Sequence, residues 1–324
     1  MEIIAGLHQL KVPIPNNPIG YVLPYLFEVP GGCAIIDPGW NADESEEALR
    51  SQMQALGLGF GDVKQIIVTH VHPDHFGLAG KVREASGAPI YVHERDIEQI
   101  RWRAGRSSDE IETWFRNYGL PEGETPVWQA ARNRRWQVET EPDQLMKDGE
   151  SLRLGQFELQ VIWTPGHSAG HACFYMASEE LLLSGDHVLP TISPNVSLWP
   201  GSEDDNPLAD YLHSLNRLRG LRTRRVLPAH EYDFEDLEGR LDSLEEHHED
   251  RLQQMVDSVQ AGATTAYEIA RAVRWSIGHF DNFDPGTQRA AVTETVAHVR
   301  YLIGEGRLRT FQQEDGISRV ALPS

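Results

Sequence analysis

A chain of 324 residues that is 40% hydrophobic and 24% charged has the balance of a folded enzyme, not of a disordered or membrane-embedded polypeptide. Its formal charge of -20 disfavours a nucleic-acid partner, which needs clustered Lys and Arg against phosphate. Cys33 and Cys173 make no disulfide framework, the apolar runs are too short to span a bilayer, and MEIIAGLHQLKVPIPNNP lacks the pattern of a secretory signal, so the expectation is a cytoplasmic protein with no membrane contact.

In chain order, YVLPYLFEV (21–29) and CAIIDPG (33–39) read as strands joined at Gly31-Gly32. ADESEEALRSQMQALG (42–57) has helical periodicity, with Ala48, Leu49, Met53 and Leu56 on one face. KQIIVTH (64–70) reads as a buried strand, GLAGKVREASG (77–87) as a helix and APIYVH (88–93) as a strand. From 94 to 142 the chain turns helical and aromatic, with Trp102, Trp114, Trp128 and Trp136 among its eight tryptophans. Such an insert either packs on the sheet or forms a lid over an apolar pocket. As a lid it would set Arg101, Arg103 and Arg106 beside Trp102 to meet a carboxylate or phosphate. Strands return at ESLRLG and FELQVIWTPGH (150–167), then HACFYMA and LLLSGD (171–186). The helix NPLADYLHSLNRLRGL (206–221) leads into RRVLPAHE (224–231).

The tail differs. A charged helix (240–260), a short Thr-capped one (264–273), a third (287–306) and a hairpin across Asp315-Gly316 follow the order of a winged helix. The reading is a catalytic domain over 1–240, with its Trp-rich insert, and a winged-helix-like domain over 241–324. From 241 to 324 there are 13 acidic and 8 basic side chains, a net of −5, and within 287–303 the third helix sets only Arg289 and Arg300 against Glu294. That is a poor DNA reader, so a structural cap or a contact to a second copy or a paralogous subunit is expected there.

The informative pattern is positional. His70 follows the apolar run IIV, His167 follows LQVIW, Asp186 follows LLLSG and His230 follows RVLPA. Loops beyond strand ends form the functional crevice of sheet-plus-helix folds, so four β-runs ending this way converge. Within VTHVHPDHFG (68–77), His70 and His72 alternate on a strand end, while Asp74 and His75 open the next turn. A lone His after a strand is ordinarily just hydrogen-bonded; the full string with its downstream partners is not ordinary. Counting His70, His72, Asp74, His75, His167, Asp186 and His230 gives seven donors, too many for one catalytic zinc and suited to two ions sharing a carboxylate. Two dications against two carboxylates hold a hydroxide at neutral pH, a nucleophile that needs neither Ser nor Cys.

THVHPDH, TPGHSAGH, the Gly-Asp at 185–186 and the Pro-Ala-His at 228–230 together resemble the metallo-β-lactamase superfamily over residues about 20–231. The resemblance implies an α/β four-layered αβ/βα sandwich. It implies that His70, His72 and His167 hold one metal, that Asp74, His75 and His230 hold a second, and that Asp186 bridges. It also gives Asp37 (in IIDPG) and His171 supporting roles around the ligands. The tail, HHEDRLQQMVDSVQ onward, resembles the winged-helix domain appended to a subset of these hydrolases.

Departures narrow the chemistry. Zinc β-lactamases carry a Cys where Asp186 stands, the flavo-oxidases a Glu where His72 stands, and the RNA-processing nucleases a large second domain that is missing here. Glyoxalase II is similar at TPGHSAGH and AHE, yet HVLPTISPNVSLWPG (187–201) does not resemble its glutathione-binding loop. The expectation is a binuclear hydrolase, with two divalent ions (Zn2+, or else Mn2+ or Fe), acting on a small ester, thioester or lactone bearing an apolar or aromatic moiety. Activated aryl ethers and phosphoesters extend that range. Asp74 is the expected proton carrier, and His187, Trp102 and Trp199 are expected in the substrate pocket. Two alternatives are a mononuclear iron oxidoreductase of the persulfide dioxygenase type and a nuclease or nucleic-acid binder acting through the winged helix.

Overall fold

A computed structural model describes residues 1–97, 107–121, 140–202 and 205–323. They form two compact units. Of the described residues, the first comprises 1–97, 140–194 and 214–241; the second gathers 107–121 with 195–202, 205–213 and 242–323.

The first unit holds two sheets. Strands β1 (Glu2–Ile4), β2 (Leu7–Gln9), β5 (Tyr25–Val29), β6 (Gly32–Ile36), β7 (Val63–Ile67), β8 (Ile90–His93) and β9 (Gln144–Met146) form a seven-stranded sheet in the order β1-β2-β5-β6-β7-β8-β9. It is antiparallel up to β6 and parallel from β6 to β9. The small hairpin of β3 (Val12–Pro13) and β4 (Tyr21–Val22) stands apart. The single strand expected over 21–29 is therefore two, because Pro24 has no N–H to give a ladder. Just before the break, Leu23 N–H turns instead to the carbonyl of Ala229.

The second sheet is β10 (Ser151–Leu154), β11 (Phe157–Trp163), β12 (Ala172–Met176), β13 (Leu181–Gly185) and β14 (Arg225–Pro228), antiparallel except for the parallel pair β13–β14. Strand alternation builds the layers. In β6, Cys33 and Ile35 join Leu49 and Met53 of helix α1 (Asp43–Ala55) and Ala79 and Val82 of helix α3 (Ala79–Ser86) on one face of the first sheet. Ala34 and Ile36 point the other way, into a second core shared with Leu159, Val161, Phe174, Leu181, Leu183 and Leu227 of the second sheet. Each such Leu or Phe contributes about 1.5–3 kcal/mol by leaving water. All five residues of β12 and of β13 are buried, so the second sheet is covered on both faces. The fold is thus mixed α/β, with two sheets packed face to face. On α1, Leu56, expected in the apolar face, is instead exposed past the helix end.

The second unit contains helix α4 (Ser108–Asn117), the helices α7 (Ala266–Ala272) and α8 (Pro285–Gly304), and the hairpin of β15 (Arg309–Gln312) and β16 (Ser318–Ala321) across Asp315 and Gly316. Two further helices, α5 (Pro207–Leu218) and α6 (Leu237–Gln260), precede α7 in the chain. Ile111, Trp114, Phe115 and Leu120 share one core with Ala266, Ala270, Val292 and Val296. The aromatic residues of the middle segment that are described therefore pack among helices of this unit. Trp102, Trp128, Trp136 and the arginines at 101, 103 and 106 lie outside the described residues.

Candidate metal centre

Four strand ends and one short helix deliver the polar residues. β7 runs into Thr69, His70, Val71 and His72, and helix α2 (Pro73–Phe76) then carries Asp74 and His75. Pro73 at its first position starts the turn with a preset φ and no orphaned N–H. After β11, the loop from Thr164 to His171 is closed by Thr164 N–H on the carbonyl of His171, and it projects His167. β13 ends at Gly185, whose φ of +52 and lack of a side chain are both required: a Cβ there would stand 2.6 Å from His171 Nε2. Asp186 follows, and β14 leads to His230. The two sheets are stitched at this rim by Ala172 N–H on Thr69 O, while Ala229 N–H on Gly185 O prolongs the β13–β14 pairing within the second sheet.

All seven donors come together. His70 Nε2 lies 2.8 Å from His72 Nδ1 and 3.2 Å from His167 Nε2. His75 Nε2 and His230 Nε2 stand 3.4 and 3.3 Å from Asp186 Oδ1, while Asp186 Oδ2 stands 3.4 Å from His167 Nε2. Asp74 Oδ2 is 3.5 Å from His230 Nε2 and 3.8 Å from His75 Nε2. Three overlapping sets could each hold an ion: His70, His72 and His167; His70, His75 and Asp186; and Asp74, His75 and His230. The two oxygens of Asp186 face different sets.

The surrounding hydrogen bonds decide which ring nitrogens carry protons. Asp37 accepts from Thr69 N–H at 2.8 Å, from Thr69 Oγ1–H at 2.8 Å and from His75 Nδ1–H at 2.9 Å. Since the Thr69 hydroxyl donates to Asp37, it accepts from His70 Nδ1–H at 3.0 Å. His230 Nδ1–H donates to the carbonyl of Tyr21 at 2.7 Å. Each distal proton is therefore engaged, and the Nε2 lone pairs of His70, His75 and His230 point into one buried space. His171 accepts the Asp186 backbone N–H on Nε2 and donates Nδ1–H to Thr164 Oγ1, holding Asp186 by its main chain. Asp37 and His171 thus lie beside the donors.

This arrangement fits cations. His75 Nε2, His230 Nε2 and Asp186 Oδ1 are buried and find no hydrogen-bond partner among the described residues, although they crowd one another. Such a cluster is costly unless positive charge sits among the lone pairs. Without a metal, protons must supply it. Burial pushes His75 and His230 down, but Asp186 and its neighbouring carboxylates outweigh it, holding His75 well above the ordinary imidazole value and His230 at about 10. Burial opposes ionisation of Asp186 and Asp74 too, and the facing imidazoles still hold both below the ordinary carboxylate value. Metal ions replace those protons, so binding would release them.

Of the expected pocket residues, His187 is fully buried, its ring 5.8 Å from that of His171, and burial lowers its imidazole to about 3. Trp199 is half-buried and belongs to the second unit, and Trp102 is not among the described residues. Cys33 and Cys173 are buried and free, their thiols pushed by burial to about 12, as inert core residues would be.

The fold and the His/Asp site define an α/β protein with a candidate metal centre. The chain belongs to the metallo-beta-lactamase superfamily, whose sequence profile matches residues 18–230. It is similar to a metallo-beta-lactamase family protein from Thermus thermophilus, with 32% identity, 99% of this chain and 100% of that one covered, and a TM-score of 0.84. It also resembles a beta-lactamase domain protein from Burkholderia ambifaria, at 26% identity, 99% and 94% coverage and a TM-score of 0.81. Over 173 residues it is 30% identical to a Homo sapiens protein named acyl-coenzyme A thioesterase MBLAC2, covering 51% of this chain and 54% of that protein. The chain thus spans about half the length of that relative, and 61% of a relative from Aquifex aeolicus. Among the described residues, no helix is long and apolar enough to cross a membrane.

Proposed function

We propose that the protein is a binuclear hydrolase of acyl thioesters and related small esters or lactones. The observation that supports this most is the division of Asp186: one oxygen faces His167, and the other faces the buried, unpartnered Nε2 atoms of His75 and His230. His70, His72 and His167 would hold one ion, Asp74, His75 and His230 the other, and Asp186 both, with zinc as the expected metal. A bound pair of divalent cations supplies Lewis acidity and lowers the pKa of water to about 7.

The chain's own residues do the rest. Asp37 and Tyr21 O keep the rings of His75 and His230 turned inward, and His171 fixes Asp186. Asp74 is the more open of the two carboxylates, with a side chain 14% exposed against 9% for Asp186. It is placed to take a proton and pass it to the leaving group. The thioester preference is supported by the similarity to the human acyl-coenzyme A thioesterase. The order helix, helix, helix, hairpin over the C-terminal part supports a winged-helix reading. With its net acidic charge, contact to a second copy or a paralogous subunit is favoured over nucleic acid.

The test is a panel of acyl-coenzyme A thioesters, p-nitrophenyl esters, lactones and phosphodiesters, assayed on protein of measured metal content. Two zinc or manganese ions per chain and thioester or ester turnover support the reading. One iron per chain with oxygen uptake on a persulfide would replace it by the dioxygenase reading, and a salt-dependent shift on mixed DNA or RNA would revive the nucleic-acid one. We propose a cytoplasmic location on the two free cysteines alone.

A further inference from the structure

Asp96, in the turn after β8, is fully buried yet belongs to none of the donor sets. Its Oδ2 accepts Val71 N–H at 2.9 Å, and its Oδ1 accepts Gly170 N–H at 2.8 Å and Ser168 Oγ–H at 3.3 Å. Val71 is the residue between His70 and His72. Ser168 and Gly170 follow His167 directly in the β11–β12 loop. One carboxylate therefore bonds to both loops that carry His70, His72 and His167, and these loops come from different sheets.

We propose that Asp96 is a positioning residue that sets the affinity of the His70/His72/His167 metal position selectively. The inference rests on the binuclear reading above. The ring nitrogens of that trio approach within 2.8 and 3.2 Å of His70 Nε2, so small shifts of either loop change whether three donors can share one ion. The other position is oriented differently, through Asp37 on His75 and the Tyr21 carbonyl on His230. Of its donors, only the shared Asp186 is tied to the loop at 168–170, through His171. The packing at Gly170 shows how closely the clamp is fitted: a Cβ there would lie 2.5 Å from the Asp96 carboxyl carbon and 2.6 Å from Oδ1. Only glycine lets the main-chain N–H reach the carboxylate.

Asp96→Asn would present an amide N–H2 to one of the main-chain donors and break the clamp on that side. Gly170→Ala keeps every hydrogen-bonding atom but forces the loop away from Asp96, and it serves where the first variant fails to fold. Zinc-loaded wild type and variants are dialysed against graded dipicolinate and the retained zinc is counted. Wild type should hold two equivalents. Each variant should lose one of them at chelator concentrations about 10- to 100-fold lower, as loss of an outer hydrogen-bond partner does, while the second leaves at the wild-type concentration. A helix-cap variant remote in sequence, Asp284→Ala, should lower the Tm without moving either zinc. If wild type binds fewer than two equivalents, the binuclear reading fails and this inference with it. If wild type binds two but the variants release both at wild-type concentrations, or both together at lower ones, the selective role of Asp96 is overturned.

Discussion

Both units bury clustered histidines, and they do so in opposite ways. In the second unit His248 Nδ1 pairs with His298 Nε2 at 3.0 Å, His298 Nδ1–H donates to the Glu294 carbonyl at 2.8 Å, and Glu294 Oε2 accepts from Asn195 at 2.8 Å. These bonds run as a chain, and although His248 Nε2 finds no hydrogen-bond partner, no trio of donors converges there among the described residues. In the first unit the distal N–H groups are taken up by Asp37, Thr69 and Tyr21, and the remaining lone pairs converge on a shared space. Burial of imidazoles alone does not make a metal site; convergence of their unprotonated nitrogens does. Among the described residues, every metal-competent trio lies in the first unit.

Four experiments sharpen that contrast, in descending order of effect. Asp186→Ala removes the carboxylate shared by the donor sets and should abolish metal binding and nearly all turnover. The loss should exceed the roughly 100-fold upper range seen for outer-shell partners, read as kcat/KM beside metal content. Asp37→Asn should weaken metal retention about 10- to 100-fold by releasing the rings of His75 and His70 through Thr69, with the fold intact.

In the second unit, Glu294 should govern pH-dependent stability and leave metal content alone. Burial raises its carboxyl to about 7, against the opposing pull of Arg251 and Asn195. The native state thus binds more protons than the unfolded chain between about pH 4.5 and 7. Stability attributable to Glu294 is present below that window, declines as pH rises through it, and is lost above it, by about 3 kcal/mol in all. Glu294→Gln should flatten this slope in urea-unfolding curves measured from pH 5 to 8; an unchanged slope would remove Glu294 as its source. Smaller still, Asp284→Ala deletes the cap that accepts Gly286 and Thr287 N–H and should cost about 1 kcal/mol of stability in thermal melts, with turnover unchanged.

The seven donors were legible because four of them follow apolar strand runs, and because six positions of one string hold four of them. Asp37 and His171 were legible only through the family pattern; their contacts to Thr69, His75 and Asp186 could not be read from spacing. Asp96 left no trace, since its partners among the described residues include two backbone N–H groups and a serine hydroxyl, none of which marks a pattern. The break at Pro24 was visible as a proline but was passed over inside an otherwise apolar run. The grouping of 107–121 with the C-terminal helices had no local signal, because an apolar helix face does not say which surface it will cover.

By itself the sequence determined the order of strands and helices and the identity of the metal-competent side chains, since periodicity and residue chemistry are local properties. Tertiary structure decided which nitrogens are left unprotonated and aimed at one point, and which core claims each aromatic stretch. Those outcomes depend on hydrogen bonds and contacts between segments tens to hundreds of residues apart, where the partner is chosen by where the sheets place it.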